Sequence, residues 1–274
     1  MKRMLLVTVV ATALVTTVTS PGHSRRSEAP DSTAVFAPVT RPPANVDWDY
    51  QIGGSFRPAA GVGVVARDRG DEPSVGDYNI CYVNAFQTQP DERSFWKGDP
   101  SRWDLVLKDP DGDPVVDEGW GEWLLDTRTT ASRTSLMAIV GPWIDGCAAA
   151  GLQGVEFDNL DSWDRASGLI TTRHNKAFAR LLTTRAHEAG LAAGQKNWAE
   201  LSSRGPGLGF DFAIAEECAR YRECGSYAAA YADRVYVVEY RDRDFNRACR
   251  RWGSRLSIVR RDVDVTPDGI NKRC

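Results

Sequence analysis

Eight short runs with strand character recur along the chain, at residues 63–66, 79–83, 123–126, 155–158, 191–195, 211–215, 235–239 and 256–259, and most are separated by helix-like segments. Strands that alternate with helices at this spacing build a parallel sheet. Eight of them within the roughly 230 residues that follow position 45 predict a single (β/α)8 TIM barrel in preference to an open, doubly wound sheet. The clearest helix is expected over residues 173–189. Thr171 or Thr172 can cap its start, Phe178, Leu181, Leu182 and Ala186 form an apolar stripe, and Gly190 can end it. Between the first two runs, residues 67–77 hold Gly, Pro and several charges and are too few for a crossover helix, so a shortened first crossover is expected.

The N-terminus carries Lys2 and Arg3, then a Thr-rich apolar stretch from Leu5 to Val18, then small residues up to Ser24. This is the pattern of a secretory signal peptide over residues 1–24. It predicts a secreted, extracellular protein with no stable membrane association once the signal is removed. Residues 25–45 mix Pro, Ser, Ala and charge without hydrophobic period and read as a disordered linker, leaving 46–274 as the catalytic-sized domain. Loss of Lys2 and Arg3 changes the formal charge from −3 to −5, since no acidic residue precedes position 25. A mildly acidic surface gives no support for nucleic-acid binding, and a monomer is expected. Six cysteines behind a signal peptide make disulfides the default. Fifteen pairings exist. Cys218 with Cys224 spans a short loop, Cys249 with Cys274 would tie down the C-terminus, and Cys81 with Cys147 remains, against the alternative of free buried thiols.

The stretch 154–161 places Glu156, Asp158 and Asp161 within six residues behind a short apolar entry. On a strand, Glu156 and Asp158 share a face, which in a barrel is the lumen. Residues ending the other runs converge with them at the C-terminal face: Asn84, Asp126, Arg128, Asn159, Lys196, Asn197, Glu216, Glu217, Glu239, Tyr240, Arg261 and Asp262. His174 and His187, the histidines outside the signal region, both fall in or beside the predicted helix, which argues against a His-based metal centre or a Ser-His-Asp hydrolase. No phosphate-cradling glycine motif opens a helix, so no cofactor is expected. Paired carboxyls then point to glycosidic-bond chemistry. Nine tryptophans and eight tyrosines suit stacking against sugars, with Trp96, Trp103, Trp120, Trp123, Trp163 and Trp198 as candidates.

Seven short motifs in order, Trp48-Asp-Tyr-Gln51, Cys81-Tyr82-Val83, Gly121-Glu-Trp-Leu-Leu-Asp126, the 154–161 stretch, Gly194-Gln-Lys-Asn197, Ala215-Glu-Glu-Cys218 and Glu239-Tyr240, give a chain that resembles the endo-α-1,4-polygalactosaminidase family, glycoside hydrolase family 114, over about residues 48–274. The resemblance implies a TIM barrel hydrolysing α-1,4-linked galactosamine-containing polysaccharide. Its catalytic pair maps to Asp158, as nucleophile or base, and Glu216, as proton donor, with Glu239 the rival partner. Glu156-Phe157 stands where Asp-Pro is expected, and Ala215 where Asn is. Substrate contacts are expected from Tyr82, Asp126, Asn159, Asp161, Lys196, Asn197, Glu239 and Tyr240. Free amino sugars are cationic, so Asp126, Asp161, Glu217 or Glu239 would receive their ammonium groups. A secreted carbohydrate-binding barrel without catalysis is the alternative.

Overall fold

The computed structural model describes residues 39–274; the signal-peptide expectation and the linker expectation up to residue 38 lie outside it. Strands are β1 Asp47–Gln51, β2 Val62–Asp68, β3 Tyr78–Asn84, β4 Val116–Asp117, β5 Glu122–Trp123, β6 Gly154–Asp158, β7 Ala192–Lys196, β8 Phe212–Glu216, β9 Val235–Glu239, β10 Ser257–Arg261 and β11 Asn271–Arg273. Helices are α1 Arg93–Lys97, α2 Pro100–Trp103, α3 Thr130–Ala149, α4 Thr172–Glu188, α5 Cys218–Tyr221, α6 Cys224–Tyr231 and α7 Asp242–Trp252. Eight strands run parallel in the order β1-β2-β3-β6-β7-β8-β9-β10, with β11 antiparallel beside β10. The fold is the expected barrel, curled until β10 lies beside β1. No described helix is long and apolar enough to cross a membrane.

Two assignments change. Residues 47–51 form the first barrel strand, with Trp48 and Tyr50 turned into the lumen. Residues 123–126 do not join the barrel. They hydrogen-bond within the long β3-to-β6 excursion, Thr88 N–H to the Trp123 carbonyl and Leu125 N–H to the Phe86 carbonyl, and β5 pairs with β4 as a hairpin. Leu124 and Leu125 are both fully buried, so an apolar pair alone cannot tell a barrel strand from a buried arm of an excursion. The missed strand and the extra one cancel in the count. Val155 and Asp158 therefore still sit on the fourth barrel strand and Glu216 on the sixth.

The helix-less crossover over residues 69–77 joins β2 to β3, and the β1-to-β2 connection lacks a helix as well. A buried guanidinium braces both. Arg67 gives Nε to Gln51 Oε1 at 2.9 Å, and its two terminal nitrogens to the Glu72 carbonyl at 2.6 Å and the Phe56 carbonyl at 2.7 Å. Backbone acceptors that a covering helix would shield are satisfied by this fork. Arg261 does the same at the seam, reaching the Tyr50, Thr266 and Ile270 carbonyls. Residues 39–45 carry no regular structure but bond to the barrel: the Thr40 carbonyl accepts from Tyr78, and Asn45 Nδ2 donates to the Gly253 carbonyl at 3.0 Å.

Alternation along the strands separates two apolar layers. Ile80, Phe212, Ile214, Tyr236 and Val238 fill the lumen, while Val83, Val155, Phe157, Ala215 and Val237 face the helices. Gly194 is required in the lumen because a Cβ there would lie 2.6 Å from the Phe212 ring. Helix α4 begins at its Thr171 cap, with His174 Nδ1 accepting the Thr171 N–H at 3.2 Å, and buries Phe178, Leu182 and Ala186. Leu181, expected in the stripe, is 40% exposed. All three disulfides follow the expected pairing, Cys81–Cys147, Cys218–Cys224 and Cys249–Cys274.

Candidate active site

Above the apolar lumen the inward positions turn polar, and one buried cation organises them. Lys196, at the end of β7, is 1% exposed. Its Nζ donates to the Tyr50 hydroxyl at 2.8 Å and lies 3.3 Å from Asp158 Oδ1, 3.6 Å from Glu216 Oε2 and 4.0 Å from Glu156 Oε2. Burial alone would lower the ammonium's pKa, but these three carboxyls, Asp158 foremost, raise it well above the ordinary lysine value. Asp158 also accepts from the Tyr82 hydroxyl at 2.8 Å and from the Asn159 N–H at 2.8 Å. Burial pushes this carboxyl up. Lys196, the phenol and the backbone donor outweigh burial and hold it below the usual carboxylate range.

Glu216 faces the same cleft from β8. Asn197 Nδ2 donates to its Oε2 at 2.9 Å, the Tyr240 hydroxyl meets its Oε1, and Asn197 Oδ1 accepts its own N–H at 2.9 Å. The chain leaves three successive barrel strands through left-handed residues, Asn159 (φ 61°), Asn197 (φ 51°) with Trp198 (φ 58°), and Glu217 (φ 52°). Non-glycine residues pay for that conformation only where the surroundings enforce it, and here it turns Asn159 and Asn197 back over the carboxyls.

The cleft has a volume of about 290 Å³ and is bounded by Tyr82, Glu122, Asp158, Asn197, Glu216 and Tyr240 among others. It opens into a groove of about 1100 Å³ that carries Trp163, Trp198, Tyr221 and Lys176, and the two share Trp120, Asp161, Arg165, Asn197, Glu216, Tyr240 and Val263. Trp120, Trp163 and Trp198 are thus the sugar-stacking candidates that reach the groove. Trp96 is fully buried, and Trp103 packs edge-to-face on Trp123 at 5.0 Å, away from the groove.

The expected contact residues divide. Tyr82, Asn159, Asp161, Asn197 and Tyr240 line the cleft. Lys196 lies beneath it, with its Nζ against Asp158, Glu216 and the Tyr50 hydroxyl. Two expectations are corrected. Asp126 is outside the cleft, past the end of β5 and bound to Arg128 Nε at 2.9 Å and Nη2 at 2.8 Å. Glu239 falls on the outward side of β9, in register with Val235 and Val237, and accepts the Ala219 N–H at 2.8 Å. Burial first, against that single donor, pushes its carboxyl up to about 7. A residue facing the helices cannot partner Asp158 across the lumen.

Glu122 and Asp117 went unnoticed as individual residues, although Glu122 stands within the 121–126 motif. The hairpin β4-β5 carries both to the rim of the cleft. Asp117 pairs with Arg165 Nε at 2.8 Å, and the same guanidinium holds Asp161 at 2.9 Å.

Glu156 was expected on the lumen side, and there both its oxygens are buried without a hydrogen-bond partner among the described residues. Burial, opposed by Lys196 and reinforced by Asp158 and Glu216, pushes its carboxyl up to about 8. A folded pKa above the unfolded value favours the protonated fold. That stabilisation is complete below about pH 4 and is lost as pH rises through the folded value. Glu156→Gln is therefore expected to melt with the wild type at pH 4 and about 5 °C or more above it at pH 8.5. Thermal melts of both proteins across that range check it; a difference that stays constant with pH would mean that folding does not raise the Glu156 pKa.

A model of glycoside-hydrolase family GH114 matches residues 29–274. Among solved structures, Aspergillus fumigatus Ega3 in complex with galactosamine is similar at 20% identity and a TM-score of 0.71, covering 88% of this chain and 100% of that one. The glycoside hydrolase domain of PelA from Pseudomonas aeruginosa is similar at 16% identity and a TM-score of 0.57, covering 82% and 97%. At these identities the likeness is one of fold. No curated protein sequence matches.

Proposed function

Because the chain belongs to glycoside-hydrolase family GH114 and is a glycoside hydrolase, we propose that it is secreted and cleaves α-1,4-linked galactosamine-containing polysaccharide, using Asp158 and Glu216. The observation that carries the reading is the pairing of these two carboxyls on one buried ammonium at the floor of an open groove. Asp158, held ionised by Lys196, Tyr82 and the Asn159 N–H, attacks the anomeric carbon. Glu216 gives its proton to the departing glycosidic oxygen. Water then attacks the same carbon, Glu216 takes the water's proton, and Asp158 leaves as the free carboxylate.

The oxygens facing Lys196 can be no further apart than about 7 Å, the sum of their distances to its nitrogen. That bound admits the spacing of retaining enzymes, about 5–5.5 Å, and places these two oxygens no further apart than the short end of the inverting range of about 6.5–9.5 Å, so it supports retention. The groove's continuation past Glu216 to Trp163 and Trp198 supports cleavage within a chain. Three disulfides suit an oxidising, extracellular setting. The galactosamine bound by Ega3 supports the choice of sugar.

The test is mass spectrometry of products from partly deacetylated α-1,4-galactosaminoglycan, beside chitosan and neutral glycans. Galactosamine oligomers are expected from the first polymer, and NMR of fresh products should show the α anomer. Cleavage of a neutral glycan in its place would overturn the substrate assignment.

A further inference from the structure

The carboxyls expected to receive a substrate ammonium are already engaged. Asp126 is held by Arg128, Asp161 by Arg165, Glu217 by Arg220 and Arg241, and Glu239 faces away from the lumen. Asp117, at the same rim, is taken by Arg165. Glu122 differs from all of them. It is 8% exposed, lines the cleft, and has no basic side chain within salt-bridge distance among the described residues. Its Oε2 accepts from two amides, Asn84 Nδ2 at 3.0 Å and Asn159 Nδ2 at 3.3 Å, while its Oε1 takes no hydrogen bond among the described residues. Asn159 Nδ2 also donates to Asn84 Oδ1 at 3.0 Å, so the carboxyl is fixed by a bridge between β3 and the residue that follows Asp158.

We propose that Glu122 is the specificity residue of this cleft, its free Oε1 receiving the ammonium group of a deacetylated amino-sugar unit bound over Asp158. The proposal rests on the amino-sugar reading above and names the residue that reads the amine. A buried carboxyl held by neutral amides and lacking a cation is a site of unmet charge complementarity. A sugar ammonium supplies that cation, whereas an acetamido group offers a neutral N–H and a bulky acyl group. Burial, against the Asn84 hydrogen bond, pushes the Glu122 carboxyl up to about 7, with Asp158 and Asp117 raising it further and Arg165 opposing them. An arriving ammonium reverses that balance, so binding of the free amine near pH 7 expels a fraction of a proton from Glu122.

Calorimetric titration with α-1,4-linked galactosamine oligosaccharides and their N-acetylated counterparts, in two buffers of different ionisation enthalpy, tests this on the wild type and Glu122→Gln. The wild type is expected to prefer the free amine and to release about half a proton per ligand at pH 7. The variant is expected to lose about tenfold or more of that preference, along with the proton release. Its thermal transition and its residual cleavage of the partly acetylated polymer report on folding. A variant that cleaves the polymer and keeps the wild-type preference overturns the role of Glu122 and leaves the substrate assignment standing. A wild type that neither binds nor cleaves galactosamine chains overturns both.

Discussion

Asp158→Asn and Glu216→Gln are each expected to lose about 10³-fold or more in turnover on the galactosamine polymer, with both proteins folded at the assay temperature and Asp158→Asn melting below wild type at pH 7, where it gives up the stability of the depressed carboxylate. Both substitutions keep shape and remove the ionisable oxygen, so the loss falls on chemistry. Glu239→Gln is the control. Its carboxyl lies behind the sheet against the Ala219 N–H, so turnover should stay within about a few fold of wild type. The pH profile adds a second reading. Asp158 must be ionised to attack, and its pKa is depressed, so activity is retained below the usual carboxylate range and lost only as pH falls through that lowered value. Tyr82→Phe removes the donor at 2.8 Å from Asp158 and should move the acid limb of kcat/KM upward. If Glu216→Gln stays active while Glu239→Gln is dead, the pair is wrong. An acid limb unmoved by Tyr82→Phe would separate Asp158 from that limb.

How much of this was legible in the sequence depends on how local the cause is. The lumen-facing pair Glu156 and Asp158 follows from the period of two along one strand, and β6 obeys it. Helix α4 followed from its cap, its stripe and Gly190. The strand β1 was harder. Its alternation of Asp47, Trp48, Asp49, Tyr50 and Gln51 is plain, yet it begins directly after a stretch composed like a linker. The run 123–126 failed for the opposite reason, since two adjacent buried leucines carry no periodicity that distinguishes a barrel strand from an excursion. Glu239 failed by a single position of register, which sends a side chain to the other face. Glu122 could not be placed from sequence, because its position depends on a hairpin folding back from a 69-residue excursion between β3 and β6. Nor could the pairing of Asp117 and Asp161 on Arg165, which singles Glu122 out, be read from spacing alone.

Lys196→Met should be the most damaging substitution to the fold among those considered, at about 3–5 kcal/mol near pH 7, a large part of the total stability of a domain. Methionine replaces the length of the side chain, so the loss is mainly of charge. Without the ammonium, Asp158 keeps its burial and loses the largest of the influences that lower it, so its folded pKa rises above the unfolded value. The sign of its linkage then inverts. In the wild type, the depressed Asp158 contributes stability that is present above the unfolded pKa and is lost as pH falls. In the variant, stability is fullest below the unfolded pKa and is lost as pH rises. The difference in Tm between the two proteins should accordingly be wide at pH 7 and narrow toward pH 4. Combining Lys196→Met with Asp158→Asn should recover much of the loss at pH 7, because the double variant no longer buries an uncompensated carboxylate there. Thermal melts of the four proteins at both pH values decide the matter. A Tm difference of equal size at pH 4 and pH 7, and no recovery in the double variant, would make Lys196 a packing residue and would remove the electrostatic account of why Asp158 is ionised.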